Sequence, residues 1–313
     1  MKKSIEIESY KGAYSAHIID SEDKAFFHSV LRDISKDSFL VIDSKINSLY
    51  PDIGSMWDSD NVFFVKAKEK NKSFKTCNKL ISFLIERKIT KNGKIVAIGG
   101  GIVQDIAAFS ASVIYRGIDW IFVPTTLLSQ ADSCIGSKTS INFNKAKNLI
   151  GSFHPPREIY SFSFFLETLS EDDIKSGIGE ILHYYLIYNS KKTKEISSSY
   201  EEILKDRKLL QSHILESLSI KKRMIEVDEF DKKERNIFNY GHTFGHAIEV
   251  LSNYKISHGR AVTLGMDIAN FISYKKSLIT LERYKELKKM IEKKMPKFTI
   301  KPNMIDKYIK ILQ

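Results

Sequence analysis

Apolar residues in the first half of the chain fall into short solid blocks separated by longer stripes. Ser38 to Asp43 reads Ser-Phe-Leu-Val-Ile-Asp and Val62 to Lys66 forms a second block, each the length of a buried strand. Lys94 to Ile98 is a third, running straight into Gly99-Gly100-Gly101, and Trp120 to Val123 is a fourth, stopped by Pro124. Between them, Phe74 to Lys88 carries Phe74, Cys77, Leu80, Ile81, Leu84 and Ile85 at helical spacing, and another helical pattern leads from the glycines to Tyr115. Strands alternating with helices predict a parallel sheet with crossover connections.

After Pro155-Pro156 strand blocks become scarce. Ser163 to Tyr188, Tyr200 to Val227, Phe238 to Leu251, Ala261 to Tyr274 and Leu281 to Lys294 all carry helical periodicity, and the polar run Ser190 to Ser199 reads as a loop. The expected architecture is an α/β N-terminal domain with a parallel sheet, residues 1–160, and an all-α C-terminal domain, residues 161–313, with the boundary near Tyr160.

Composition narrows the partners. With 313 residues, 42% of them hydrophobic, the chain is long enough for two cores. The longest apolar stretch, Lys94 to Tyr115, is broken by three glycines and Asp105, so no membrane span is expected. Met1 to Glu6 is basic with no apolar stretch behind it, which predicts no secretory signal and a cytoplasmic location. Only Cys77 and Cys134 occur, too few for a disulfide framework or a thiolate metal cage. The excess of 49 Lys plus Arg over 38 Asp plus Glu, +11, admits nucleic acid, a membrane surface or small anions. Lysines between Tyr274 and Lys297 alternate with Glu282, Glu286 and Glu292, a solvated helix face, and no basic cluster is paired with stacking aromatics. Small anions remain.

Candidate chemistry sits in four places. His242 and His246 are four residues apart and share a helix face, with His258 following, so a metal is worth considering. Glu180 lies in an otherwise apolar helical stretch, where a buried carboxylate needs a cation; with His242 and His258 it makes a two-histidine, one-carboxylate set suited to a catalytic divalent ion. Gly99-Gly100-Gly101 opens a helix after a strand, a place for a pyrophosphate, although the triplet also serves as a plain tight turn; Asp105 one turn later suits a sugar hydroxyl. Thr125 and Thr126 end the fourth strand, where parallel sheets bind ligands or a helix is simply capped. Asp132, Lys138, Lys147 and Asn148 follow in a small, polar stretch, in which lysines are more often surface than site.

Taken in order, GGGIVQD, YRG, VPTTLLSQADSCIGSKT, AKNLIGSFHPP, GIGEIL, KKRMIEVDE, ERNIFNYGHTFGHAIE and HGRAVTLGM resemble the sugar phosphate cyclases, and most closely the 3-dehydroquinate synthase family, from about Val41 to Met266. The resemblance implies a Rossmann-like NAD-binding domain, zinc (with cobalt a substitute) at Glu180, His242 and His258, and a homodimer that binds neither nucleic acid nor membrane. It places Asp43, Glu69, Lys72, Gly99, Gly100, Gly101, Asp105, Thr125, Thr126, Lys138 and Lys147 at NAD. Around the substrate it places Arg116, Asp132, Lys138, Lys147, Asn148, Lys221, Arg235, Asn239 and His246, with the arginine reaching across the dimer interface and His246 handling protons. Lys138, Asn148 and Asn239 would hold a phosphate, and Lys221 and Arg235 a carboxylate. The implied reaction converts 3-deoxy-D-arabino-heptulosonate 7-phosphate to 3-dehydroquinate and phosphate in the shikimate pathway to aromatic amino acids. Another sugar phosphate cyclase, such as a 2-deoxy-scyllo-inosose synthase, a metal-dependent alcohol dehydrogenase and a non-catalytic paralogue are the alternatives.

Three departures stand out. His183 occupies a position where the family usually has lysine, at ligand spacing from Glu180, and is expected near the metal. Arg260 stands where glutamate is common beside the third histidine, and is expected to alter that histidine's surroundings. The sequence ends at Ile311-Leu312-Gln313, where the family continues with an Asp-Lys-Lys segment closing on the substrate phosphate; each such charge-assisted bond is worth about 1.5 to 3 kcal/mol.

Overall fold

The structure, a computed structural model, describes residues 2–20, 24–144 and 146–312; Met1 and Gln313, named above at the two ends, lie outside them. The chain divides into two compact units, Met1–Thr168 and Leu169–Gln313.

In the first unit β1 (Lys2–Ile7) and β2 (Tyr14–Ile19) form an antiparallel pair, followed by α1 (Lys24–Ser35) and β3 (Ser38–Asp43). Two short helices, α2 (Ser44–Leu49) and α3 (Pro51–Gly54), lead to β4 (Val62–Val65), α4 (Phe74–Glu86) and β5 (Lys94–Gly99). Then come α5 (Gly101–Val113), β6 (Asp119–Pro124), a hairpin of β7 (Lys138–Phe143) and β8 (Ala146–Phe153), and β9 (Glu158–Phe162). The main sheet has the order β1-β2-β9-β6-β5-β3-β4 and is parallel except at the β1–β2 edge. The four strands expected from apolar blocks are β3, β4, β5 and β6.

One sheet face packs on α1 through Phe27, Phe162 and Phe165, with Phe27 edge-on to Phe162 at a 4.9 Å centroid distance. Burying each such ring contributes roughly 1.5–3 kcal/mol, and edge-to-face rings add somewhat more. The expected boundary at Tyr160 falls inside β9, whose pairing with β2 and β6 extends the first unit to Thr168.

The second unit is helical: α6 (Glu171–Tyr188), α7 (Ser190–Ser198), α8 (Tyr200–Ile203), α9 (Arg207–Val227), α10 (His242–Leu251), α11 (His258–Lys275), α12 (Leu281–Ile291) and α13 (Ile305–Leu312). Ser190 to Ser199, expected as a loop, is mostly helix α7: the Asn189 side chain accepts from the Lys192 amide at 3.0 Å, and Thr193 and Ile196 turn inward. Asp206 breaks the expected helix Tyr200–Val227 in two by capping α9, its carboxylate accepting from the Lys208 and Leu209 amides.

Glycine sets how closely three of these helices approach. An added Cβ on Gly179 of α6 would stand 2.3 Å from the Gly259 carbonyl oxygen of α11, and one on Gly265 of α11 would stand 1.9 Å from the Gly241 carbonyl oxygen. Backbone therefore meets backbone where α11 crosses α6 and the start of α10.

Candidate active site

In the first unit the ends of three adjacent strands carry the expected nucleotide residues. Asp43 closes β3 and caps α2, its carboxylate accepting from the Lys45 amide at 3.0 Å, and burial raises its pKa. Gly99 closes β5, Gly100 caps α5 and Gly101 begins it, so the first amides of α5 face outward at the sheet's C-terminal edge. An added Cβ on Gly100 would lie 2.8 Å from Thr126 Cγ2, whereas one on Gly101 meets nothing nearer than Ser133 Oγ at 3.8 Å. Room beside the amides of a helix start fits a phosphate group. Thr125 and Thr126 follow β6, and Thr126 and Ser129 share a 2.8 Å hydroxyl contact that shapes the turn.

Lys72, Asp105, Glu69, Lys147 and Asn148 form one network that ties the hairpin to α5. Lys72 is buried, its Nζ 2.5 Å from Asp105 Oδ2 and donating to Asn148 Oδ1 at 2.6 Å. The other Asp105 oxygen accepts from the Ser140 amide at 3.0 Å; burial raises this carboxyl's pKa and Lys72 opposes the rise. Asp105 is thus an anchor for the hairpin as well as a candidate sugar contact. Glu69 Oε1 accepts from Asn142 Nδ2 at 2.8 Å and lies 3.7 Å from Lys147 Nζ. Lys138 starts β7 and is exposed, and Asp132 lies in the wide helical turn Ser129–Ser133 after β6, closed by the Cys134 amide donating to the Ser129 carbonyl.

Arg116 is elsewhere in this unit. It stands exposed past the C-terminal end of α5, a thirteen-residue helix about 20 Å long, and so is remote from the glycines that open that helix. Tyr115, Arg116 and Gly117 are consecutive left-handed residues, with φ of 49°, 66° and 124°, which turns the chain sharply toward β6.

In the second unit a buried glutamate gathers two histidines from two other helices. Glu180 is buried in α6; its Oε1 lies 3.3 Å from His242 Nε2 and 2.9 Å from His258 Nε2. His242 is the first residue of α10 and His258 the first of α11, so the glycine crossings bring all three together. Burial opposes charge on His258, but Glu180 and Glu249 outweigh it and raise its pKa to about 10; burial likewise opposes charge on Glu180, but His242 and His258 overcome it and hold that carboxyl well below the usual carboxylate range. Three donor atoms within 4.8 Å of one another, one of them a buried carboxylate oxygen, fit a divalent cation in place of those protons.

His246 joins this cluster, its ring centroid 5.5 Å from that of His242 and 5.5 Å from that of His258. His183 is buried against it, its ring 4.9 Å from His242 and its Nδ1 3.7 Å from Glu180 Oε2. Lys221 and Arg235 are buried on α9 and on the short helix after it; Arg235 donates to the Glu229 carbonyl at 2.9 Å. Asn239 is exposed one helical step before α10, its amide 3.4 Å from Asn236 Oδ1.

Arg260 departs from expectation. Its guanidinium pairs with Asp172 in the first turn of α6, locking α11 to α6, while the carboxylate beside His258 comes from Glu249. The sequence reading passed over Glu249, although its place three residues after His246 put it on the same helix face. Gln104, whose side chain exchanges two 2.6 Å hydrogen bonds with Ser133, and Asn142 were likewise missed; both lock ordinary polar positions into the nucleotide end.

A parallel sheet with a glycine-opened helix, and a helical unit that converges a glutamate and two histidines, make up a fold that solved sugar phosphate cyclases share. Residues 62–176 match the family description 3-dehydroquinate synthase N-terminal, and residues 177–313 match 3-dehydroquinate synthase C-terminal. The 3-dehydroquinate synthase of Clostridium tetani is 39% identical over 270 residues, covering 84% of this chain and 72% of that protein. The one from Dictyoglomus turgidum is 40% identical over 285 residues, 86% of this chain and 80% of that protein. Among solved structures, 2-deoxy-scyllo-inosose synthase complexed with carbaglucose-6-phosphate, NAD+ and Co2+ is 26% identical with a TM-score of 0.85, covering 99% of this chain and 88% of that one. The chain belongs to the 3-dehydroquinate synthase family.

Proposed function

We propose that the chain is a 3-dehydroquinate synthase, a phosphate lyase converting 3-deoxy-D-arabino-heptulosonate 7-phosphate to 3-dehydroquinate and phosphate, and that it works as a cytoplasmic homodimer. The observation that carries this reading is the convergence of Glu180, His242 and His258 in a chain 39–40% identical to such synthases over most of its length. When bound, NAD takes up and returns one hydride and a divalent cation, zinc in this reading, polarises the substrate alcohol that gives it.

The chain's own residues supply binding and proton handling. Asp43, Gly99 to Gly101, Asp105, Thr125 and Thr126, with Glu69, Lys72, Lys138 and Lys147 around the hairpin, hold NAD. Lys221 and Arg235 carry cations that grip the substrate carboxylate, a group that simple sugar phosphates lack. Lys138, Asn148 and Asn239 are the phosphate-binding candidates that the family resemblance implies, and Asp132 is a further substrate contact in that reading. Arg116, remote from the nucleotide end of its own unit, serves the partner subunit. His246, exposed and one ring away from both histidine ligands, moves the proton released when phosphate leaves.

The test supplies purified protein with the heptulosonate phosphate, NAD and zinc. Phosphate release in step with 3-dehydroquinate, without net NADH, is the expected result. Phosphate release from glucose 6-phosphate instead would identify a different cyclase, and NADH accumulation with an alcohol a dehydrogenase.

A further inference from the structure

The two histidines of the metal triad differ from one another at their outer nitrogens. His242 Nδ1 lies 3.4 Å from the Tyr240 carbonyl, a long contact to a neutral acceptor. His258 Nδ1 lies 3.1 Å from Glu249 Oε2, a buried carboxylate nine residues earlier on α10. A carboxylate accepts and does not donate, so this contact puts a proton on Nδ1 and leaves Nε2 to face Glu180 Oε1, 2.9 Å away.

We propose that Glu249 is the positioning residue of the metal centre: it fixes the tautomer and ring plane of His258 and makes that imidazole the more electron-rich of the two histidine ligands. The proposal rests on reading Glu180, His242 and His258 as the metal ligands. Its physical content is a carboxylate–histidine–metal relay, in which a negative group behind the imidazole strengthens the nitrogen facing the cation. Geometry sets the length of the side chain. Glu249 lies on α10 and His258 opens α11, so the acid bridges the two helices that carry the histidines. A competing arrangement exists, because His246, Glu249 and His258 also lie within 4.8 Å of one another and could hold a second ion directly. The first arrangement is favoured because Glu249 Oε2 already faces the outer nitrogen of a histidine whose inner nitrogen faces Glu180.

The deciding experiment measures zinc content, zinc affinity by competition with a chromophoric chelator, and the visible spectrum of the cobalt-loaded protein, for the wild type and for E249A, E249Q and H242A. One ion per chain in the wild type, a 10- to 100-fold weaker affinity and shifted cobalt bands in E249A, and partial recovery in E249Q, which keeps an acceptor but not the charge, are expected. Wild-type affinity and bands in both Glu249 variants would overturn the proposal while leaving the triad standing. Two ions per chain in the wild type and one in E249A would overturn it by making Glu249 a ligand. If H242A binds zinc as the wild type does, the triad itself falls and the proposal with it. Should E249A not fold, the isosteric E249Q decides alone, with several-fold weaker zinc binding expected and unchanged binding overturning the idea.

Discussion

His183 and Glu180 face each other one turn apart on α6, imidazole Nδ1 3.7 Å from carboxylate Oε2, with the His183 ring stacked near Tyr240 at a 6.1 Å centroid distance. Glu180 thereby meets histidines on both oxygens, and an imidazole lies beside the cluster of Glu180, His242 and His258. Lysine there would place a permanent charge beside a site that takes anionic substrates. His183→Lys should lower KM for the heptulosonate phosphate about tenfold, as one added charge-assisted bond would. If steady-state kinetics show neither KM nor kcat moving, His183 only fills space.

His242 and His246 share a helix face and both rings lie beside that of His258, but their exposure differs. His242 Nε2 points at Glu180 Oε1, whereas His246 is exposed beside the pair. Replacing His242 with Ala should strip the metal, read by elemental analysis of dialysed protein. Replacing His246 with Ala should leave metal content unchanged and reduce kcat by roughly 100-fold or more, the usual loss of a general acid or base. Equal loss of metal in both variants would make His246 a ligand.

The crossing of α6 and α11 leaves no room for a methyl at Gly179, whose added Cβ would sit 2.3 Å from the Gly259 carbonyl oxygen. Gly179→Ala must push apart the helices that carry Glu180 and His258. A loss of about 1–3 kcal/mol in denaturant unfolding is expected from overpacking, accompanied by weaker metal binding. Full stability with full metal affinity would show that the two helices have slack.

How much of this was legible beforehand follows from the kind of signal each element carries. β3, β5 and β6 were readable because strands buried on both faces are continuous apolar runs, and β4, an edge strand with Phe64 exposed, carries the same kind of run in Val-Phe-Phe-Val. The β7–β8 hairpin was not, because its Ser140, Asn142 and Asn148 are polar positions satisfied by the network of Asp105, Lys72 and Glu69, while Thr139 and Ser152 bond each other across the strands, contacts that no local pattern encodes. β1 was hidden for a related reason: as an edge strand it buries little beyond Ile7. Glu180, His242 and His258 could be proposed from residue type, but that they meet depends on glycine contacts between helices distant in sequence. Glu249 could be placed on the face of His246 by spacing, but its contact with His258, like the Arg260–Asp172 pair, emerges only from that packing.

Lys72 is the cation that makes burial of Asp105 tolerable, at 2.5 Å. Lys72→Met removes it and leaves a partly buried carboxyl held by the Ser140 amide alone, which should cost about 1–3 kcal/mol. NAD binding should weaken together with stability, because Asp105 sits one turn into the helix opened by Gly101. Unchanged NAD affinity in a destabilised variant would confine this pair to a structural role.

Lys294 gives a stability effect with a definite pH window. It is buried in the short helical turn Glu292–Lys294 that follows α12, donates to the Met290 carbonyl at 2.7 Å and lies 5.2 Å over the Tyr200 ring. Burial, helped by neighbouring Lys293, lowers its pKa from 10.5 to about 8. Below about pH 8 both the folded and unfolded chains carry the proton and the whole cost of burying the charge is present, on the order of 3 kcal/mol for such a shift. Between about 8 and 10.5 the unfolded chain binds more protons than the folded one, so this group's contribution to stability rises with pH and the cost disappears. Lys294→Met keeps the stem's packing and never carries the charge. Urea unfolding should therefore find the variant more stable than the wild type at pH 7, by about 1–3 kcal/mol after the lost hydrogen bond to Met290 is counted. That advantage should shrink as the pH is raised toward 10. An advantage that stays constant across the range, or no advantage at pH 7, would mean that the Lys294 ammonium is not buried as charge in the folded protein.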